Sequence, residues 1–394
     1  MPPDRLPPHG PVGSTGDDGE VSESPSPAPG RSIPPRTSAE RAAEAFERAQ
    51  LMSTSAAPPD SWLMAMQAAR DALRAGSFDA SARYHWRAWQ QASERDQQAT
   101  TLHHCAVRLL EQGDPDGAAS YLEVARALRR GFADPRLVTS TEAQLARARQ
   151  LADFDAVILA GGSGRRIGGS KPELPLGGWP LLDHVLLAAS AATRRIVAGP
   201  PRHGLGEPIF VSENPSGSGP VAGLAAALGE LRAPREPHEP REVGEPREVG
   251  ELREVGRQSM VAVLAADIPF IGAALRPLRE TLLATDEADA VVLVDTSGRL
   301  NYLAALWRTD SLVAAVDELG EHLSGLPLRC LYDGAHVVTQ ADFDAHGADI
   351  DTPNDLAAAR DRLVATMPWF RAQPPDLIPA TPLAWPGLAL HSPS

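Results

Sequence analysis

Residues 157–178, VILAGGSGRRIGGSKPELPLGG, join an apolar run to a glycine-rich, cationic loop. Gly161, Gly162, Gly164, Gly168 and Gly169 carry no Cβ, so their backbone amides can approach an anion closely, while Arg165, Arg166 and Lys171 supply fixed positive charge. Such a combination binds nucleotide phosphates. Two common phosphate loops are excluded by spacing: a P-loop needs Gly directly before Lys, where Ser170 intervenes, and Ile167 occupies the last glycine position of a G-x-G-x-x-G beginning at Gly162. Farther along, Asp267 closes the apolar run VAVLAA and is followed by Ile268 and Pro269, which forces the chain out of a strand. A carboxylate placed there suits Mg²⁺, which takes one or two protein carboxylates and fills its remaining positions with water and phosphate. Asp349 and Asp351 precede Thr352-Pro353, a pattern that reads first as a helix start.

The elements that must position these groups alternate from residue 153 onward. FDAVILA, RRIVA, PIFVS, SMVAVLAA and DAVVLV read as short apolar strands, and LLDHVLLAASAA and GPVAGLAAALGEL as helices between them. Alternation of this kind predicts an α/β fold with a mainly parallel, Rossmann-like sheet and flanking helices. Ligands of such sheets lie beyond the carboxyl ends of the strands, where the glycine loop and Asp267 both fall.

The loop resembles that of sugar-nucleotide-type nucleotidyltransferases, with Leu159, Ala160, Gly161, Gly162, Gly164, Arg165 and Lys171 as the matching residues. Within that superfamily the doubled glycine, the run GGSKPELPLGG and the following WPLLDHVL are most similar to the molybdenum cofactor guanylyltransferase family. GPVAGLAAAL at 219–228, VLAADIPFI at 263–271 and DIDTPNDLAAAR at 349–360 agree in the same order, so the resemblance covers about residues 153–365. It implies a sheet of the nucleotide-diphospho-sugar transferase type and transfer of GMP from GTP to molybdopterin or the molybdenum cofactor, with pyrophosphate released. Mg²⁺ would sit on Asp267, with Asp351 a possible second ligand, and Lys171 and Arg165 would offset developing charge. Leu159, Ala160, Gly161, Gly162, Gly164, Gly199 and Asn214 would lie along the nucleotide. Cytidylyl transfer to the same cofactor remains an alternative, as does a nucleotide-binding scaffold whose transferase site has decayed. Three features depart from the family pattern: Ser170 alone separates Gly169 from Lys171, Asn214 stands where an Asp is expected, and REPHEPREVGEPREVGELREVGR at 235–257 is an inserted six-residue repeat.

The rest of the 394-residue chain is of another character. Residues 1–38 and 367–394 are rich in proline and small polar residues and are expected to be disordered, the latter as a Pro-rich tail. Residues 39–150 are rich in Ala, Leu, Arg, Gln and Glu at helical spacing, which predicts an all-helical domain. Gly76 and Gly113 fall at equivalent points of two similar segments, near the period of tetratricopeptide repeats. This TPR-like region would either bind a partner protein or cap the enzyme domain. Tyr84, Trp86 and Trp89 are expected to pack between its helices, and His103, His104 and Cys105 to be structural rather than metal ligands. A net charge of −14 disfavours a general nucleic-acid surface. The absence of a signal-like start, of a long apolar stretch and of a paired-cysteine motif points to a cytoplasmic chain with no membrane span, no disulfide framework and no zinc site.

Overall fold

The computed structural model describes residues 61–130, 133–161, 170–202, 205–215, 217–232 and 259–366. The expected disordered ends, the 235–257 insertion and the centre of the glycine loop lie outside the described residues. Among them, no helix is long and apolar enough to cross a membrane.

Five helices come first: α1 (Trp62–Arg74), α2 (Phe78–Gln91), α3 (Arg95–Glu111), α4 (Pro115–Arg129) and α5 (Pro135–Ala152). Their ends are written locally. Asp114 and Asp134 each cap a helix whose first residue is proline, accepting hydrogen bonds from the Gly117 and Arg136 amides at 3.0 and 2.9 Å. Gly76 and Gly113 take left-handed conformations (φ +72° and +73°) at the α1–α2 and α3–α4 turns. Cys105 is buried and Cys330 half-buried, both as free thiols. His103 contacts the Thr141 hydroxyl at 3.2 Å, and burial lowers its pKa to about 4, so this imidazole is a neutral interior group. Trp86 is 36% exposed, so its packing against the helices is only partial.

Asp153, in a left-handed conformation, ends α5 and passes the chain directly into β1 (Phe154–Leu159), every residue of which is buried. A two-stranded hairpin, β2 (Pro175–Leu176) and β3 (Trp179–Pro180), leads to α6 (Leu181–Ala188). The other elements are β4 (Arg195–Ala198), β5 (Ile209–Val211), α7 (Pro220–Arg232), β6 (Met260–Ala265), α8 (Gly272–Ala284), β7 (Ala290–Val294), β8 (Leu300–Arg308), α9 (Thr309–Glu318), β9 (Val337–Ala341) and α10 (Pro353–Thr366). The seven-stranded sheet has the order β5-β4-β1-β6-β8-β7-β9. Pairs β5–β4, β4–β1, β1–β6 and β7–β9 are parallel, whereas β8 runs antiparallel to both β6 and β7. The sheet is therefore mixed and Rossmann-like. The antiparallel β8 and the edge strand β9 were not anticipated from sequence, because LNYLAALWR lacks a clean alternation and VVTQA is only partly buried.

The helical layer and the sheet share one core. On one face Leu110, Leu122 and Leu145 join Ile158 of β1, Leu186 of α6 and Leu278 of α8 in a single apolar cluster. Val157, Ile196, Leu224, Leu228 and Trp307 fill the other face. Two buried charge clusters reinforce the first junction. Arg279 of α8 donates to both carboxylate oxygens of Asp116 at 2.8 and 2.6 Å and lies over the Phe154 ring. Glu123 of α4, 1% exposed, faces the guanidinium groups of Arg126, Arg149 and Arg195. Burial alone would raise its pKa, but the three cations outweigh burial and lower it.

Asp116→Asn should leave the Arg279 guanidinium buried without a counter-charge and destabilise the chain by about 3–5 kcal/mol. Chemical denaturation should show one transition for helical and sheet signals together, and two separate transitions would contradict the shared core. Because Glu123 is held ionised below its ordinary value, its contribution is present above about pH 4.3 and is lost as pH falls through the depressed folded value. Urea unfolding at pH 7 and pH 4 should therefore show a smaller acid loss of stability in Glu123→Gln than in wild type.

Candidate active site

Three chain segments meet at the carboxyl edge of the sheet. The end of β1 supplies Leu159, Ala160 and Gly161, with the Ala160 amide bonded to the Ala198 carbonyl at 2.9 Å. The end of β6 supplies Ala265, Ala266 and Asp267, and the Ala266 amide donates to the Leu159 carbonyl at 3.1 Å. The segment before α10 is tied on by the Ile350 amide, 3.2 Å from the Asp267 carbonyl. Lys171 opens a short 3₁₀ turn, Lys171–Glu173, beside them.

Lys171 donates from Nζ to Oδ2 of Asp267 and to Oδ1 of Asp351. Burial opposes its charge, but hydrogen bonds to the two aspartates outweigh that effect and raise its pKa, so it stays an ammonium. Asp349 lies close by, and burial, reinforced by the charges of Asp351 and Asp267, pushes its pKa up. Oδ1 of Asp267 is buried with no hydrogen-bond partner among the described residues. The helix start is capped by other groups: Asp355 accepts from the Asp351 and Thr352 amides at 3.1 and 2.7 Å, and the Thr352 hydroxyl accepts from the Asp355 amide at 3.2 Å. The carboxylate of Asp351 is thereby released from capping and goes to Lys171 instead.

A cleft of about 460 Å³ opens at this point, lined by Leu159, Gly161, Lys171, Gly223, Asp267 and Asn301 among others. The nucleotide-side expectations divide. Leu159 and Gly161 line the cleft. Ala160 and Gly199 stand behind it, so close together that a Cβ at Gly199 would come within 3.0 Å of Cβ of Ala160. Asn214 is exposed beside the cleft and is not among its lining residues. Its neighbour Glu213 is, held by the Gly217 amide at 2.9 Å. Gly162, Gly164 and Arg165 lie outside the described residues.

Sequence reasoning missed Asn301 and Leu303. Val292 pairs with Ala305 but Leu293 pairs with Asn301, so β8 carries extra residues in a bulge at this point. Asn301 holds the bulge by donating to the Gly347 carbonyl at 2.7 Å and accepting from the Leu303 amide at 3.0 Å. Asn301, Leu303 and Asp349 form a wall shared with a second cavity of about 570 Å³. Arg299, Tyr302, Arg329 and the exposed Phe343 line its far side. Two of its carboxylates are occupied by nearby backbone amides: Asp295 accepts from Ser297 and Arg299, and Asp342 from His346 and Gly347. Arg329 has no carboxylate partner among the described residues.

Residues 156–337 match the family model described as a MobA-like NTP transferase domain, so sheet order and site together define a nucleotidyltransferase-type domain. A molybdenum cofactor guanylyltransferase of Rhodobacter capsulatus is 32% identical over 222 residues, an alignment that spans 54% of this chain and 97% of that protein. One of Cereibacter sphaeroides is 30% identical over 220 residues, covering 52% and 95%. The chain belongs to the molybdenum cofactor guanylyltransferase family. Among solved structures, molybdopterin-guanine dinucleotide biosynthesis protein A of Archaeoglobus fulgidus aligns with 54% of this chain and all of its own, at 20% identity and a TM-score of 0.38.

Gly161 lines the cleft, yet a Cβ built on it meets no atom within 4 Å. Gly161→Ala should therefore leave thermal stability unchanged while the added methyl group fills space needed by a ligand, weakening nucleoside triphosphate binding by about tenfold, or about 1.4 kcal/mol. Calorimetric titration beside a melting curve checks both halves.

Proposed function

We propose that this chain transfers GMP from GTP to molybdopterin or its molybdenum-loaded form, releasing pyrophosphate. The convergence of Lys171, Asp267 and Asp351 at the mouth of the 460 Å³ cleft is the observation that carries the reading, within a chain of this family. An oxygen of the acceptor's terminal phosphate forms the new bond to the α-phosphorus of GTP, and the bond from that phosphorus to the bridging oxygen of the β-phosphate breaks. The nucleophile is already anionic, so no general base is needed, and neutralisation and orientation supply most of the catalysis.

Lys171 is the described cation that would turn from the carboxylates toward the phosphates, joined by Arg165 from the glycine loop. The donor set fits a hard cation: the carboxylates of Asp267 and Asp351 are oxygen ligands, and the unpartnered Oδ1 of Asp267 is a buried acceptor without a donor. Asp267, with Asp351, would hold Mg²⁺, which when bound supplies charge neutralisation of the triphosphate. The second cavity fits the acceptor. It adjoins the nucleotide cleft across the Asn301–Leu303 wall, and the cationic Arg299 and Arg329 beside Phe343 suit a planar, phosphorylated pterin.

Incubation with GTP, Mg²⁺ and molybdopterin should release pyrophosphate, and CTP offered in competition should be used poorly. Absence of product with every nucleotide would overturn the assignment. Asp267→Asn keeps the side chain's shape and removes its charge. Its turnover should fall by about two orders of magnitude or more, corresponding to about 2.7 kcal/mol of transition-state stabilisation, with little change in melting temperature.

A further inference from the structure

The helical layer does more than cover one face of the sheet, because its charges reach a loop that leads to Lys171. Glu123 of α4 accepts from Arg195 of β4 at 3.4 Å, and the fully buried Arg195 guanidinium in turn donates to the Gly206 carbonyl at 2.6 Å. Gly206 has φ +77°, and its backbone lies so close over the Arg195 guanidinium that an added Cβ would overlap it. The next residue, Glu207, is left-handed at φ +55°, a conformation that a residue with a Cβ rarely adopts, and is held by Arg126 of α4 at 3.8 Å and by Arg130 just past its end. The Gly206–Glu207 turn is thus clamped from the helical layer.

The same loop is fixed at its other side to the lysine turn. Asp183 of α6 accepts from the Leu205 amide at 3.2 Å and from Arg202 at 3.1 Å. Arg202 also donates to Glu173 at 2.7 Å. Glu173 lies two residues after Lys171 in the 3₁₀ turn, whose amides of Glu173 and Leu174 bond to the carbonyls of Ser170 and Lys171 at 3.0 and 3.1 Å. A set of ion pairs and hydrogen bonds therefore runs from α4 through Glu207, Gly206 and Leu205 to Asp183 and Arg202, and from Arg202 to the turn that sets the direction of the Lys171 side chain.

We infer that the N-terminal helical layer positions Lys171, with Arg130, Glu207 and Arg202 as positioning residues acting through Glu173. The inference rests on the role given to Lys171 in the proposed reaction, but its primary readout does not require turnover. Glu207 is 66% exposed and Arg130 35%, so substitutions there leave the buried core intact.

The test uses the full chain with Glu207→Arg, Arg130→Glu, the double charge swap and Arg202→Gln. Hydrogen–deuterium exchange should show the Glu173 and Leu174 amides opening about threefold to fivefold faster in Arg202→Gln and in each single swap variant, the scale expected of a partly exposed pair. The double swap should return exchange only part of the way, because Arg126 still faces position 207, and melting temperatures should stay close to wild type throughout. Where transfer is measurable, kcat should fall by a similar factor in the single variants, with the acceptor KM unchanged. Wild-type exchange at these two amides in both Arg202→Gln and Glu207→Arg would overturn the inference. If the wild-type protein transferred no nucleotide, the exchange result would still decide the positioning, so the two failures are distinguishable.

Discussion

The site depends on one constraint: carboxylates gathered at the end of a buried sheet need a cation. Lys171 meets that need by joining Asp267 and Asp351, the latter 180 residues away in sequence. Without the ammonium, Asp267 at the end of β6 and the Asp349–Asp351 segment would face each other as like charges in a partly desolvated cleft. The lysine is thus a structural counter-ion to both aspartates and, in the proposed reaction, a cation of the phosphate site among the described residues. A nucleotide–metal complex that brought its own positive charge to the aspartates would release it toward the phosphates.

Everything around the lysine narrows its freedom. The sheet fixes Asp267 through its place just past the end of β6, the Ile350 amide ties the 349–351 segment to the Asp267 carbonyl, and the Thr352–Asp355 reciprocal cap starts α10 without using the Asp351 carboxylate. On the other side the 3₁₀ turn is braced through Glu173 and Arg202. Such support matters because phosphoryl-group transfer depends on geometry within fractions of an ångström, and a long, flexible lysine is directed only as well as its backbone is held.

The antiparallel strand β8 gives the site its second half. A regular β8 would present a flat surface beside β6 and β7. The bulge at Tyr302–Ala304 instead places Asn301 and Leu303 between two cavities, and Gly347 closes in so tightly that a Cβ there would approach Leu293 and Ala304 within 3.0–3.2 Å. One cavity carries the glycine-rich edge and the aspartates, and the other carries exposed guanidinium groups and an aromatic ring. Asn301, Leu303 and Asp349 line both cavities, and the proposed transfer uses that common wall.

The sequence by itself determined the parts governed by local rules. Asp-Pro helix starts, left-handed glycines at helix ends, five strands with helices between them, and the position of Asp267 beyond an apolar strand all follow from propensity and periodicity over a few residues. Tertiary structure decided whatever depended on charge meeting charge across the chain. Asp351 read locally as part of a helix start, and only the fold showed its carboxylate turned to Lys171. Glu213, next to Asn214, lines the cleft through its hydrogen bond with the Gly217 amide, a placement that no local pattern announces. The N-terminal helices read as an all-helical unit that would bind a partner or cap the enzyme domain, and only the fold showed Asp116 and Glu123 pairing with Arg279 and Arg195 across the junction with the sheet, because a buried carboxylate must find its cation wherever the chain brings one, and no periodicity in the sequence records that distance.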